Sequence, residues 1–441
     1  MKKIVFIGAG SHIFTRRLAR DILSFPLLQG VTIVLHDINQ ERLDTAYYGV
    51  QRIIDAGKYP ATLIKTSNLT EALMDANAVI CTIADDFARW RHDIEIPARY
   101  GVDLNIGDTR GPGGIFRFLR IYPAMYEIVR TMEQVAPNAV LLNYTNPMGM
   151  ICGALSRVSK IKVIGLCHSV QGTAEMIARW IGADMNEITY TCAGINHMAW
   201  YLSFRWNGID VYPILRRMMQ NSEIYNQEIV RNELFLALGY YPTESSGHHS
   251  EYNWWFRKRP ELIEQYCTPG TGWNPGASQA ALTWYRENMH KWRDDAQKER
   301  EHPEPIDLHP SNEYAAYIIN ALAGGNAFKF NGNVPNNRHI DNLPIGACVE
   351  VPILVDNTGF SPFNVGELPA SVNMLTNLSC QIEELAIQGC IDSDMTAIYQ
   401  ACYHDPLTAA CLSLQEIRSM VTEMFITSKD ALPQFNVSII E

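Results

Sequence analysis

Two side chains with metal-binding chemistry follow predicted strands in the middle of the chain. Cys167 ends the apolar run Lys162–Leu166, and His197 follows the strand-like segment Glu187–Ile195. Taken singly, a cysteine is more often a small buried apolar side chain, and a histidine is more often a hydrogen-bonded structural residue. Together, a thiolate and an imidazole suit a divalent metal whose open positions the vicinal hydroxyls of a sugar can fill. The pair therefore predicts a metal site.

The N-terminal segment has a pattern typical of dinucleotide binding. The apolar run Lys3–Ile7 is followed by a turn made of Gly8, Ala9, Gly10 and Ser11. Glycines in such a turn let the backbone approach a pyrophosphate at the N-terminus of the following helix. Asp37 ends the second apolar run, where a carboxylate binds a ribose 2′-hydroxyl and repels a 2′-phosphate, so NAD is favoured over NADP. Ile13 replaces the third glycine of the fingerprint, which indicates looser packing or a variant loop. The alternative is a glycine turn that binds another nucleotide or none.

The elements that must position these residues indicate an α/β fold. Apolar runs alternate with amphipathic stretches until about Gly172, which is typical of βαβ units in a doubly wound parallel sheet. With 441 residues, the chain predicts a Rossmann-type NAD-binding domain over 1–190 and an α+β domain over 191–441. The second domain is expected to contribute to the metal and substrate sites and to oligomer contacts. The predicted strands are Lys3–Ile7, Val31–Leu35, Ala78–Ile83, Val140–Leu142, Lys162–Leu166, Glu187–Ile195, Ala199–Phe204 and Cys348–Leu354. The predicted helices are Thr15–Leu23, Gln40–Asp55, Phe116–Val135, Tyr225–Leu238, Asn312–Leu322, Ala370–Gln388 and Met395–Leu412, and the polar stretch 286–310 predicts a solvated helix and loop.

Composition and charge exclude several classes of function. The net charge is −11 and no Lys/Arg run stands out, which argues against nucleic acid or a membrane surface as the main partner. No apolar stretch is long enough to span a bilayer. The ten cysteines are scattered without a CxxC motif, so free thiols in a reducing compartment are expected. The apolar start ends after four residues, as in a first strand, and we expect a cytoplasmic protein.

Four polar clusters follow strands or strand-like runs, where an open α/β sheet places its ligands. They are Gly107–Gly114, Asn143–Pro147, Cys167–Ser169 and Gly194–His197. With Phe6–Ser11, Asn333–Asn336 and Val349–Pro352, they resemble glycoside hydrolase family 4 over essentially the whole chain. Members of that family depend on NAD and a divalent metal, and their fold is related to that of lactate and malate dehydrogenases. The resemblance implies NAD and Mn²⁺, or another divalent metal, as cofactors, with Cys167 and His197 as metal ligands.

Within that family, the residues after the metal-binding cysteine track substrate type. Cys167-His168-Ser169-Val170-Gln171 resembles the α-galactosidase version, whereas 6-phosphoglycosidases carry Cys-Asn-x-Pro or Cys-Asp-x-Pro. The implied reaction is hydrolysis of an unphosphorylated α-galactoside such as melibiose. It would proceed by transient oxidation at C3 with NAD, removal of the C2 proton, elimination at C1 and addition of water. The resemblance also implies a homodimer or homotetramer.

The resemblance assigns roles to further residues. Asp108 is the predicted general acid, since α-active members carry Asp in this Gly-Asp-Thr-x-Gly-Pro-Gly-Gly motif; the alternative is a turn or cap aspartate. Tyr252 is the predicted C2 base, because a nearby metal lowers the pKa of a tyrosine, although Tyr240 and Tyr241 are close in sequence. The alternative for this region is an aromatic helix in the core. The predicted substrate contacts are Asn146, His168 and Gln171.

Three other functions share part of this pattern. A dehydrogenase of the lactate/malate type would share the fold but release an oxidised product, and it needs no metal thiolate. Another family 4 activity, α-glucosidase or α-glucuronidase, would share the cofactor sites. A non-catalytic NAD-binding protein has no need of both metal ligands and the motif around Asp108.

Overall fold

A single sheet of twelve strands runs through the described chain. The computed structural model describes residues 1–267 and 276–437. The strands are β1 (Lys3–Ile7), β2 (Thr32–His36), β3 (Thr62–Thr66), β4 (Ala78–Cys81), β5 (Val140–Asn143), β6 (Lys162–Gly165), β7 (Ile188–Ile195), β8 (Met198–Trp206), β9 (Ile209–Asp210), β10 (Phe328–Pro335), β11 (Cys348–Asp356) and β12 (Gly359–Pro362). The first eight helices are α1 (His12–Leu23), α2 (Gln40–Gly57), α3 (Leu69–Leu73), α4 (Phe87–Trp90), α5 (His92–Arg99), α6 (Gly111–Val135), α7 (Met148–Val158) and α8 (Ser169–Ile181). The later helices are α9 (Tyr212–Met218), α10 (Ser222–Tyr225), α11 (Ile229–Leu238), α12 (Ser246–Glu251), α13 (Pro260–Tyr266), α14 (Ala280–Asn288), α15 (Lys291–Glu301), α16 (Tyr314–Leu322), α17 (Ala370–Asp392), α18 (Met395–His404), α19 (Pro406–Cys411) and α20 (Leu414–Ser428).

The first six strands form the parallel part of the sheet. Their order is β3-β2-β1-β4-β5-β6, which is the order of a doubly wound dinucleotide-binding fold. Along β1, Val5 and Ile7 join one hydrophobic cluster, and Ile4 and Phe6 join another, so both faces of the strand are buried. This arrangement confirms the predicted Rossmann-type α/β fold.

The remaining strands extend the same sheet with antiparallel pairing. β10 pairs with β6 through Asn333 and Gly165, and β11, β7, β8 and β9 follow. The sheet therefore continues across the predicted domain boundary near residue 190. The division into two domains stays a prediction. Because β6 and the β7–β8 hairpin belong to one sheet, the residues that follow β6 and those in the hairpin turn can meet at one site.

The structure differs from the sequence-based element predictions in several places, among them an edge strand, a divided helix and the polar stretch. The edge strand β3 was not predicted, because its residues are half-buried or exposed and form no apolar run. The predicted helix Met395–Leu412 is divided into α18 and α19, because Pro406 disfavours a helical residue before it, and Asp405 caps α19 by accepting the Thr408 N–H at 3.0 Å. Within the polar stretch, α15 packs on α1 and α2 through ion pairs, including Arg16–Glu299 at 2.6 Å. Among the described helices, none combines the length and apolar character that crossing a membrane requires.

Candidate active site

The glycine-rich turn after β1 lies against the ends of two neighbouring strands. Gly8 has φ +80°, and a Cβ atom there would come within 2.7 Å of the backbone nitrogen of Ile83, so glycine is required. A Cβ on Gly10 would come within 2.6 Å of Asp37 Oδ2, and this oxygen accepts the Gly10 N–H at 2.7 Å. Ser11 precedes α1 and lines the cavity described below. The turn therefore places the helix N-terminus beside Asp37, as in dinucleotide sites.

The third position of the fingerprint faces outward. Ile13 is 68% exposed in the first turn of α1, so its side chain does not separate the helix from the sheet. The hydroxyl of Thr15 ties the helix to the turn by donating to the carbonyl oxygen of Ala9 at 2.9 Å. The departure from the usual glycine is thus accommodated without a looser helix–turn contact.

Three side chains with metal-binding atoms converge behind this turn. One ligand atom from each of Cys167, His197 and Glu244 lies within 4.8 Å of the others. Cys167 follows β6, His197 lies in the β7–β8 turn, and Glu244 precedes α12. His197 and Glu244 have φ values of +62° and +71°, a region that costs free energy for residues other than glycine. Such strain is concentrated at functional sites, and here it occurs in two of the three converging residues.

The hydrogen bonds of His197 place its free lone pair on the metal-binding side. The hydroxyl of Thr109 donates to Asp108 Oδ1 at 2.7 Å, so its oxygen accepts from His197 Nδ1 at 3.1 Å. Nε2 is then unprotonated, and it lies 3.6 Å from Glu244 Oε2. A histidine that donates through one ring nitrogen and coordinates through the other is typical of metal sites.

The charges of the three residues fit a divalent cation. Burial lowers the pKa of His197 to about 4, so its imidazole is neutral. Burial opposes ionisation of Glu244, but the charges of His248 and Arg231 favour the carboxylate and lower the pKa of the carboxyl. Burial, and then Glu244 and Glu350, raise the pKa of the Cys167 thiol. A neutral imidazole, a carboxylate and a thiol that only a cation would ionise form a donor set suited to a metal of borderline softness.

A cavity of about 740 Å³ connects the nucleotide turn to these three residues. Ser11, Phe14 and Thr82–Ala84 line its nucleotide side, and Cys167, His197 and Glu244 line its depth. Of the other predicted site residues, Asp108, Asn146 and His168 also line it. The cavity therefore brings the predicted NAD, metal and acid residues together in one space.

Asp108 lies in this cavity as an ionised carboxylate paired with a histidine. His248 Nε2 is 3.4 Å from Asp108 Oδ1, and His248 Nδ1 is 3.0 Å from Glu244 Oε1. Burial opposes its charge, but Glu244 and Asp108 outweigh burial and raise the pKa of His248 to about 10. Burial also opposes ionisation of Asp108, but His248 and Arg117 hold the pKa of its carboxyl well below the usual range. The proton of this pair therefore resides on His248 in the free chain.

Two buried contacts hold the loop before Asp108 and the turn that carries His197. The carboxylate of Glu251 in α12 accepts the backbone N–H groups of residues 105, 106 and 107 at 3.0–3.2 Å. Arg110 donates to the carbonyl oxygen of Asn196 at 2.6 Å and to Glu383 of α17 at 2.7 Å. Elements far apart in sequence thus fix the acid and the metal-binding histidine relative to each other.

Tyr252 lies behind His197. Its hydroxyl is 3.4 Å from His197 Nδ1, and Arg110 lies over its ring at 5.2 Å. Burial, followed by the charge of Asp108, raises the pKa of Tyr252 well above its usual value. Among the described residues that line the cavity, Tyr144 is the only tyrosine. The role of Tyr252 as the C2 base stays a prediction, and its position and burial do not favour it.

The predicted substrate contacts occupy different positions. Asn146 lines the cavity, and its buried Oδ1 has no hydrogen-bond partner in the described structure. His168 lines the opening, where its Nε2 is 2.6 Å from Glu313 Oε2. Gln171 is not among the described lining residues, and its buried Oε1 also has no partner there. Asn146 therefore offers an acceptor to a substrate, whereas His168 is already engaged.

Sequence reasoning did not assign Glu244 or His248. Both lie in the segment 240–256, where histidines and aromatic residues are frequent. Ser245 caps α12 by accepting the His248 N–H at 3.3 Å, which places the histidine one turn beyond Glu244. The signal in the sequence is weak: it consists of an acidic residue and a histidine four positions apart, next to a serine that can cap a helix.

Comparison with known proteins places the chain in a family. Residues 3–183 match the description "Family 4 glycosyl hydrolase", and residues 192–408 match "Family 4 glycosyl hydrolase C-terminal domain". The chain belongs to glycosyl hydrolase family 4. It is similar to an α-galactosidase of Bacillus subtilis (strain 168), 37% identical over 99% of this chain and 100% of that one. It is also similar to an α-galactosidase of Rhizobium meliloti (strain 1021), 34% identical over 98% of this chain and 89% of that one.

Solved structures support the same family 4 fold. A 6-phospho-α-glucosidase from gut microorganisms, in complex with NAD and Mn²⁺, superposes with a TM-score of 0.80 at 18% identity, covering 99% of this chain and 100% of that one. Malate dehydrogenase from Plasmodium falciparum superposes with a TM-score of 0.52 at 14% identity, covering 89% and 99%. The relation to the malate dehydrogenase fold, predicted from the resemblance, is confirmed.

Proposed function

We propose that this family 4 chain is an α-galactosidase that requires NAD and a divalent metal, with Mn²⁺ favoured. The observation that carries the proposal is that the dinucleotide turn and the Cys167–His197–Glu244 group border one cavity. The choice of α-galactosides is supported by similarity to two α-galactosidases over almost the whole chain. The segment Cys167-His168-Ser169-Val170-Gln171, which lacks the phosphoglycosidase pattern, supports an unphosphorylated substrate.

Each cofactor has residues that fit it. Gly8, Gly10 and Ser11 would hold the dinucleotide phosphates, and Asp37 would accept the ribose hydroxyls. Cys167, His197 and Glu244 would hold the metal. When bound, NAD supplies reversible hydride acceptance at C3 of the sugar and the metal supplies Lewis acidity at its neighbouring oxygens.

The protein side chains perform the orienting and proton-transfer tasks. Thr109 fixes the tautomer of His197 and links it to Asp108. His248 holds the proton that the departing glycosidic oxygen requires, and Asp108, which lines the cavity together with His248, would relay that proton to the oxygen. Asn146 would position a sugar hydroxyl through its unpartnered Oδ1. The low exposure of Asp108 and Glu244 keeps their charges in a low-dielectric space where they act strongly.

We also infer that the enzyme acts in the cytoplasm and assembles as a homodimer or homotetramer. The cytoplasmic location is supported by the ten dispersed cysteines. All of them lie in the described residues as free thiols, which is typical of a reducing compartment. The assembly is supported by the family resemblance, and sedimentation of the purified chain would measure it.

The test of the function is an assay with p-nitrophenyl α-galactoside in which NAD⁺, Mn²⁺ and a reductant are each omitted in turn. We expect release of p-nitrophenol only with all three, and no net NADH, because the hydride returns to the product. A dehydrogenase of the lactate/malate type would instead form NADH in step with product. Absence of glycoside cleavage across a panel of α-galactosides, α-glucosides and α-glucuronides would contradict the proposal.

Replacing Glu244 by glutamine should weaken Mn²⁺ binding at least about 10- to 100-fold, because loss of a partner outside the ligand shell already costs that much affinity. The substitution keeps the size of the side chain but removes the charge that faces Cys167 and His197. The measurement is Mn²⁺ affinity by isothermal titration calorimetry, with Glu175→Gln on the exposed side of α8 as the matched control. Unchanged Mn²⁺ affinity in Glu244→Gln would exclude Glu244 as a ligand.

A further inference from the structure

A buried ion pair lines the cavity outside the metal and acid residues. Arg231 Nε donates to Glu228 Oε2 at 2.7 Å, and the two side chains are only 4% and 8% exposed. Both residues lie at the start of α11 and line the cavity. The backbone N–H and the hydroxyl of Ser246 donate to the same Oε2, at 2.9 Å and 2.8 Å. These hydrogen bonds fix the charged pair in the wall of the cavity.

Each nitrogen of the Arg231 guanidinium contacts that wall. Its Nη1 donates to Thr173 Oγ1 at 2.9 Å, its Nη2 contacts Met176 Sδ at 3.1 Å, and its Cζ lies 5.5 Å from the centre of the Tyr241 ring. Glu228 is engaged differently: within the described structure, the recorded hydrogen bonds to its carboxylate all end on Oε2. Oε1 therefore retains its capacity to accept a hydroxyl proton from the cavity.

The pair and the metal residues border one cavity, so a sugar bound at the metal residues also faces the wall that carries the pair. C5 lies across a pyranose ring from C2, so a sugar whose C2 and C3 oxygens face the metal group presents C6 to a different wall. Glu228 and Arg231 line the same cavity as Cys167, His197 and Glu244. The wall formed by α8 and α11 is therefore a candidate to contact C6.

Three other arginines line the described cavity, and none is comparable. Arg17 is half exposed and reaches Glu313 at 3.4 Å. Arg117 is half-buried, it lies over the ring of Trp90 at 5.9 Å, and its Nε has no hydrogen-bond partner in the described structure, but its charge acts on Asp108 and no acidic side chain forms an ion pair with it there. Arg179 is exposed on α8. Arg231 alone among the four is buried, and its charge is compensated by Glu228.

We propose that the Glu228–Arg231 pair makes the cavity select hexosides that carry no charge at C6. This inference rests on the proposed function and names the part of the substrate that the site discriminates. The C6 hydroxyl donates to Glu228 Oε1. A C6 carboxylate or phosphate would be buried beside the carboxylate of Glu228, and the guanidinium that would attract it is already neutralised. Like charges placed together in a buried site exclude the wrong partner.

Two variants of opposite charge test this proposal. Glu228→Gln leaves the charge of Arg231 uncompensated, and the ratio of the inhibition constants for D-galactose and D-galacturonate should shift at least about tenfold toward galacturonate. Arg231→Met leaves the charge of Glu228 uncompensated and should shift the same ratio toward galactose. Glu175→Gln, on the exposed face of the neighbouring helix α8, is the matched control and should leave the ratio unchanged.

The readout separates selectivity from damage to the fold. If both inhibition constants rise in parallel in the two variants, the pair is structural and the proposal is overturned. If Glu228→Gln does not fold, as judged by its thermal unfolding midpoint, Arg231→Met carries the test. Direct calorimetric binding of galactose and galacturonate to the wild-type and variant proteins with Mn²⁺ and NAD⁺ gives the same ratio without turnover. Failure to cleave any α-galactoside would contradict the proposed function, while the binding ratio would still decide the role of the pair.

Discussion

Replacing Cys167 by serine should lower kcat/KM for an α-galactoside about a thousandfold. The thiolate is the softest of the three converging donors, and a serine hydroxyl does not ionise to replace it. Polarisation of a sugar oxygen by a bound metal is worth several kcal/mol, and each 1.36 kcal/mol corresponds to a tenfold change in rate. The measurement is kcat/KM with saturating NAD⁺ over a range of Mn²⁺ concentrations, together with the metal content of the purified protein.

The matched control for Cys167 is Cys411→Ser, because Cys411 is the described cysteine that is not fully buried. It lies at the end of α19, and its replacement should leave both activity and metal content near wild type. Full activity of Cys167→Ser, or wild-type activity with a strong chelator present, would contradict the assignment of this metal site.

The pairing of Cys167 with His197 could be predicted because each residue follows a strand. Residues at the carboxyl ends of strands gather at the ligand-binding edge of an α/β sheet, and β6 and the β7–β8 hairpin belong to one sheet, although β10 and β11 lie between them. The turn at Gly8 was predictable for the same reason. These positions follow from local patterns that the sheet then brings together.

Glu244 and the Glu228–Arg231 pair could not be predicted in this way. They lie in loops and short helices of the second half of the chain, where strands and helices mix and no periodic pattern sets which side chain faces inward. The left-handed backbone of Glu244 depends on tertiary contacts, not on a local preference of Glu. The strand β3 was missed because its side chains are not apolar enough to mark it.

The prediction for Tyr252 shows how burial changes a chemical expectation. A tyrosine near a metal was expected to have a lowered pKa, and Tyr252 does contact the predicted metal ligand His197. It does so from behind, at the Nδ1 side, where the apolar surroundings raise its pKa. The family resemblance indicated that Tyr252 lies near the metal, but only the fold determines which side of the imidazole the tyrosine faces.

Replacing Asp108 by asparagine should lower kcat for melibiose, whose leaving group is a sugar, about 10²- to 10⁴-fold. This is the usual contribution of a general acid. The same change should affect p-nitrophenyl α-galactoside far less. A sugar alkoxide leaves only with a proton, whereas p-nitrophenolate is a weak base and leaves without one. The amide of asparagine keeps the shape of the side chain but cannot relay the proton that His248 holds 3.4 Å away.

The comparison of two leaving groups in one variant serves as its own control, because damage to the metal site or to the NAD site lowers both rates alike. Asp108 is also hydrogen-bonded to Thr109, which orients His197, so a purely structural role would act through the metal. Equal losses on melibiose and on the p-nitrophenyl substrate, with reduced Mn²⁺ affinity, would assign Asp108 to that structural role. A selective loss on melibiose with unchanged Mn²⁺ affinity would identify the Asp108–His248 pair as the proton donor to the leaving group, because the metal-side contacts of Thr109 and His197 are the same for both substrates.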